Sequence, residues 1–139
     1  MSFVTTTVKD TVVSDGANGS LVTVKAIFDN DTADNLILNG DALSGFANGA
    51  KLHLTRAWWA LTQGTAAANT GDLIVKFIGS SDNVVAIQLA GTGHYDGTAG
   101  KILGSATNTT ATSSDINGQT RGTSGYCILE FRKGSGYTA

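Results

Sequence analysis

Proline is absent from this chain of 139 residues. At average usage of about 5%, roughly seven would be expected in that length. Proline is one common means of blunting an exposed sheet edge. Its absence is compatible with edges that are paired or covered in an assembled state. Cysteine occurs once, as Cys127, which rules out an internal disulfide. The residue lies in an apolar segment, where a cysteine ordinarily serves as a small buried hydrophobe. Charged residues make up only 14% of the chain, against about 25% in an average soluble domain. The surface must therefore be built from Thr, Ser, Asn and Gly, which suits a neutral packing partner better than an electrostatic one.

No basic excess exists either. The formal net charge is -2 and the pI near 5.5, so the footprint expected for nucleic-acid binding is missing. The charge is uneven, with six acids against two lysines in residues 1–50 and five acids against seven Lys or Arg in 51–139. No apolar run approaches the length that crosses a bilayer. The opening MSFVTTTVKD lacks a basic region followed by an apolar run, so no signal peptide is expected. The length fits one domain, 1–139, able to bury about two-thirds of its unfolded surface without staples.

What the chain does contain is short alternating runs separated by Gly, Asn, Asp and Ser clusters, the all-β pattern. Val4, Val8 and Val12 share one face of a first strand. After the turn residues SDGANGS, Val22, Val24, Ala26 and Phe28 line a second. DNDTADN (29–35) reads as a polar loop, Leu36–Leu38 as a short strand, and Gly40–Gly49 as a turn or one helical turn. In GDLIVKFIG, Leu73, Val75 and Phe77 share one parity, and Ile74 and Ile78 the other. Val85, Ile87 and Leu89 face inward in the next run. Residues 91–123 read as long surface loops with one or two short strands, anchored by Ile102, Leu103 and Ile116. GYCILEFRK closes the pattern, with Cys127, Leu129 and Phe131 on one face and Glu130 and Arg132 on the other. Together these predict an antiparallel β-sandwich, a jelly roll of about eight strands.

The most informative stretch is KLHLTRAWWAL, 51–61. Successive side chains of a strand point to opposite faces. Leu52, Leu54 and Trp58 share one parity, which makes that face the expected core. Ala57, Trp59 and Leu61 then line the other face. Either a second layer of the chain covers Trp59 or another molecule does, since Trp is favoured at buried interface centres. Arg56, Trp59, Leu61, Ile74 and Ile78 are accordingly the candidate residues of a subunit or shell interface. Stacking of Trp59 with Tyr95 or Tyr126 on sugar rings is the alternative use of the same aromatics.

Catalytic and ligand motifs are weak. His94 and Asp96 lie on one face of an extended GHYD, yet no Ser or Cys nucleophile is evidently paired with them. Asp29, Asp31 and Asp34 resemble a calcium loop, but Asp34 and Gly40 stand where an EF-hand needs Gly and Glu. GTGHYDG and GTAGK lack phosphate-loop spacing and precede no helix. Three Asn-x-Ser/Thr triplets, at Asn18, Asn30 and Asn108, carry no meaning without export. The residues point to no enzyme, no cofactor and no metal site.

The order of NLILNGDALSG, KLHLTRAWWALTQG, GDLIVKFIGSSDNVVAIQLAGTGHYDG and YCILEFRK resembles small virion structural proteins of tailed bacteriophages, including marine and cyanobacterial phages. Arg56, Trp58, Trp59, Asp82, Leu89, Gly91, Arg132 and Lys133 fill the family's places for a basic residue with paired aromatics, an Asp turn, an apolar-Gly step and a closing Arg-Lys. The departure is GTAGKILGSATN after Tyr95, where the family pattern has a Gly-Ile-Pro step. The resemblance implies a β-sandwich or jelly-roll module that decorates (cements) a capsid. Its partners would be the major capsid protein and further copies of itself, as a homotrimer. It would be made in the host cytoplasm and reside on the capsid surface of the virion. The alternative within the same family is a tail, neck or fibre component that binds glycans.

Overall fold

The computed structural model describes residues 8–15, 21–32, 34–43, 45, 50–63, 71–78, 83–98, 100, 102, 115–134 and 137. Among them are nine strands: β1 (Val8–Asp15), β2 (Leu21–Asp31), β3 (Asp34–Leu38), β4 (Leu52–Gln63), β5 (Leu73–Ile78), β6 (Asn83–Leu89), β7 (Thr92–Tyr95), β8 (Asp115–Thr120) and β9 (Thr123–Lys133). A single 3-10 turn, Gly40–Ala42, joins β3 towards β4. The strands form a larger sheet of five, in the order β1-β2-β9-β4-β7, and a smaller sheet of four, β3-β8-β5-β6. All pairings are antiparallel. The expected all-β sandwich is what the chain forms. Val4, Asp82, Leu103 and residues 16–20 of the expected first turn lie outside the described residues.

The connectivity is a long hairpin wound on itself. β2 pairs with β9, β3 with β8, β4 with β7 and β5 with β6, and winding then sets β9 against β4 and β8 against β5. One face of each sheet packs into a shared core. Val22, Val24, Ala26 and Phe28 enter it from β2, and Cys127, Leu129 and Phe131 from β9. Leu73, Val75 and Phe77 enter from β5, opposite Ile37, Leu38, Leu89 and Ile116 of the smaller sheet's other strands. Alternation alone explains β2 as far as Phe28, β5, and β9 from Tyr126 onward: their inward residues are buried and the intervening ones are half-buried or exposed.

Five of the described strands carry a register irregularity: β1 between Val12 and Ser14, β2 between Phe28 and Asp31, and β3, β4 and β6, of which the last three change the expected facing. In β4 the register passes from Leu54↔Phe131 to Arg56↔Glu130, so Thr55 is an extra residue. In β6 it passes from Ile87↔Val75 to Val85↔Lys76, leaving Ala86 extra. In β3 it passes from Leu36↔Asn117 to Leu38↔Ile116, leaving Ile37 extra. Because side chains alternate with period two, each extra residue reverses the facing of everything beyond it. The inward set of β4 is therefore Leu52, Leu54, Ala57 and Leu61, all buried, with Trp59 half-buried against the same core. Trp58, expected in the core by parity with Leu54, points outward instead. Val85, expected inward, is 58% exposed for the same reason.

A further expectation gives way. Asp29, Asp31 and Asp34 lie on β2 and β3 rather than in a loop, because those strands extend into the polar segment. Among the described residues, 91–123 hold two short strands, β7 and β8, in keeping with the one or two expected there, and β8 (DINGQT) sits between β3 and β5. Its inward positions are Ile116, Gly118 and Thr120. Gly118 is small for a reason, since a Cβ there would stand 2.3 Å from Ile37 Cδ1 and 2.9 Å from Leu73 Cδ1.

Polar ties close the ends of the sandwich. Asp72 is buried at the start of β5, where its carboxylate accepts from Arg121 Nε at 2.7 Å, from the Arg121 Nη2 and from Gln88. Thr123 Oγ1 donates to the Asp72 carbonyl at 2.7 Å. This joins β5, β6 and the β8–β9 turn. At the C-terminal end Tyr137 is buried, and its hydroxyl donates to the Gly40 carbonyl at 2.8 Å. The buried Lys133 places its ammonium 5.5 Å from the Tyr137 ring centre.

Candidate functional site

The outward face of the larger sheet is built from the alternate residues of β2, β9, β4 and β7. Antiparallel pairing sets these in rows. One row holds Lys25, Ile128, Trp58 and His94, and the next holds Ile27, Tyr126, Ala60 and Thr92. On the other side of the first row stand Thr23, Glu130 and Arg56. Leu21 and Arg132 end the face. Large apolar groups thus occupy its centre, and Tyr126 and Leu21 are exposed to 40% and 39%. Opposed pairs on such a face lie within about 5.5 Å at Cβ, and diagonal ones within about 8 Å. Trp58 therefore opposes Ile128 and reaches diagonally towards Tyr126.

A shallow open cleft of about 250 Å³ borders this face, lined by Leu21, Thr55, Arg56, Asp96, Gly97, Glu130 and Arg132. The extra residue of β4, Thr55, lies in its wall. The Thr55 hydroxyl stands 2.9 Å from the Glu130 carbonyl and 3.0 Å from Glu130 Oε1. Arg56 Nε lies 3.7 Å from the same carboxylate oxygen, with 54% of the arginine side chain exposed and only 15% of the glutamate. Gly97 closes the far wall at φ +82, and a Cβ there would come within 2.8 Å of the Thr55 carbonyl oxygen. Asp96 accepts from the Thr98 amide at 3.0 Å and from its hydroxyl, and these bonds hold its carboxyl below the usual range.

The residues expected at an interface are divided by this geometry. Arg56 lies on the outward face of the larger sheet and lines the cleft. Ile74 and Ile78 are half-buried on the outward face of the smaller sheet, across the molecule. Leu61 is 4% exposed in the chain's own core and has no surface to offer a partner. Trp59 faces inward, over Gly93, and its indole nitrogen donates to the Ala90 carbonyl at 3.0 Å. Its intended sugar-stacking partner Tyr126 is on the opposite face, while Tyr95 packs inward beside it. The outward tryptophan is Trp58. No single-residue signal marks Thr55 as a bulge, so parity counting from Leu54 could not find it.

Other candidates stay apart. His94 is exposed beside Trp58, whereas Cys127 is fully buried on the other face of the sheet. Burial pushes the Cys127 thiol up to about 12, which leaves no thiolate at neutral pH. Among the described residues no group of three or more His, Cys, Asp and Glu is placed to hold a metal ion. Also among them, no helix is long and apolar enough to cross a membrane. No protein-family model matches this chain, and no curated protein or solved structure matches it either.

Proposed function

We propose that this chain is a non-enzymatic structural protein of a bacteriophage virion, a capsid decoration (cement) protein bound to the outer surface of the major capsid shell. One observation carries the reading: large apolar side chains stand on the outward faces of both sheets. Trp58, Tyr126, Ile27 and Ile128 do so on the larger sheet, and Leu36, Val85, Ile74 and Ile78 on the smaller. Contiguous apolar patches on a soluble surface mark contact with another molecule. The sequence resemblance to tailed-phage virion proteins supports a virion as that assembly. The wound hairpin is read as a jelly roll, the form implied by that resemblance, and the working unit as a homotrimer.

The mechanism is mechanical. A rigid sandwich bound across capsid junctions adds buried area that expansion or rupture must expose. Burial contributes about 25 cal/mol per Å² before association costs are subtracted. Many symmetric copies then stabilise the shell through individually modest contacts. Copy number per virion, by quantitative gel or mass spectrometry, tests this. Several hundred copies are expected, and a dozen or fewer would overturn it.

A second reading rests on Trp58 and Tyr126 standing diagonally on one open face. Aromatic rings so placed can stack on sugars, as in a tail, neck or fibre component binding host glycans. That reading predicts few copies and glycan affinity lost in Trp58→Ala.

A further inference from the structure

We propose that Lys76 and Asn117 become joined by an isopeptide bond, formed by the chain itself with Asp34 as the proton carrier. The three residues stand on neighbouring strands of the smaller sheet, in the order β3-β8-β5. Lys76 of β5 is directly opposite Asn117 of β8, which in turn is directly opposite Leu36 of β3. Asp34 lies two residues before Leu36, on the same outward face. Its Oδ2 accepts from Lys76 Nζ at 3.3 Å, and its Oδ1 accepts from Asn117 Nδ2 at 3.4 Å. To reach β3 from β5, the lysine chain crosses β8, where Asn117 is its cross-strand partner. One carboxylate therefore touches both nitrogens that an amide exchange involves, the one that attacks and the one that leaves.

The surroundings favour this exchange over hydrolysis. Val85 is directly opposite Lys76 on its other side, so Leu36 and Val85 end the row that holds the pair. Ile74 and Ile78 flank the lysine along β5. Among these apolar neighbours the Lys76 side chain is only 17% exposed, which limits the water that could attack the carboxamide instead. Asp34, 43% exposed, leaves the ammonia a way out. Holding amine and carboxamide in one rigid sheet also replaces a bimolecular encounter by an intramolecular one.

The step balances without a co-reactant. Asp34 takes a proton from the Lys76 ammonium. The neutral Nζ attacks Cγ of Asn117 and forms the C–N bond of the new amide. A second proton passes from Nζ to Nδ2, and the Cγ–Nδ2 bond breaks to release ammonia. The ammonia takes the proton held by Asp34 and leaves as ammonium, which restores the carboxylate. With a single cysteine the chain has no internal disulfide, and this bond supplies a covalent tie of another kind. It joins β5 to β8 and closes the chain around β6 and β7. Such a cross-link stabilises by constraining the unfolded chain. The bond forms whether or not the chain decorates a shell.

Mass spectrometry of the denatured chain, after incubation of the folded protein at neutral pH, is the test. The wild type should be lighter than its composition requires by one ammonia. A tryptic digest should contain one branched peptide that joins Lys76 to Asn117. Lys76→Arg, Asn117→Ala and Asp34→Ala should each keep their full mass, with thermal melts showing that they are folded. Lys76→Arg keeps the charge and should melt roughly 10 °C below the wild type, the scale of losing one covalent staple. A wild type of full mass would overturn the proposal. Ammonia loss without the branched peptide would do so too, since it marks a cyclic imide at Asn117-Gly118. A branched peptide that persists undiminished in Asp34→Ala would overturn the role given to Asp34.

Discussion

Trp58 and Trp59 are neighbours in sequence with opposite duties, and their truncations should separate cleanly. Trp59 packs against the core and uses its indole N–H on Ala90. Buried Phe or Trp to Ala changes cost about 3–5 kcal/mol, so a half-buried one should cost about 2–3. Trp58 stands on the outward face, where cross-strand pairs contribute about 0.2–1 kcal/mol. Urea melts of Trp59→Ala and Trp58→Ala should therefore show a large drop in midpoint for the first and a small one for the second. The reverse order would mean that β4 does not bulge at Thr55. The identity of the pair, and the certainty that they face apart, were legible from the sequence. Which one faces inward was not, because parity is counted from a reference residue and the extra residue lies between reference and target.

Elements succeed or fail here through register. β5, β9 and β2 as far as Phe28 were legible because alternation holds there and most of their inward residues are large and apolar. β8 was legible only as a short strand somewhere around Ile116, since that is the one large apolar residue among its inward positions. Its Gly118 makes sense only beside β3, whose bulge drives Ile37 into the space that a side chain would fill. Gly118→Ala should accordingly overpack the core and cost about 1–3 kcal/mol. Denaturant titration checks this, and shortening Ile37 to Val in the same chain should recover part of the loss. The β6 bulge at Ala86 acts in the same way, turning Val85 from an expected core residue into an exposed one.

At the scale of the whole molecule, global stability should respond to alkaline pH through Cys127. Its thiol is fully buried and pushed up by desolvation from an ordinary 9.0 to about 12. A folded-state value above the unfolded one means that the neutral thiol stabilises the fold fully below about pH 9. That contribution is lost as pH rises towards about 12, at up to roughly 1.4 kcal/mol per pH unit. Cys127→Ala should remove this part of the slope. The difference between wild type and variant in unfolding free energy from pH 8 to pH 11 is the measurement, and parallel curves would contradict it. In the native state below pH 9 the same thiol should resist alkylation until the sandwich opens.

The sequence by itself determined the class of this protein. Period-two alternation, turn residues between short runs and a sparse charge content point to an antiparallel sandwich, and KLHLTRAWWAL and GDLIVKFIG put large apolar residues on both faces of a strand. The tertiary structure decided which of them face outward. Strand pairing places the extra residues Ile37, Thr55 and Ala86, and each reverses facing downstream. A bulge is a property of two strands in register, and one strand read alone carries no trace of its partner. Trp58 consequently leaves the core, Leu61 leaves the surface, and Arg56 and Arg132 come together beside a cleft that no spacing in the chain foretold.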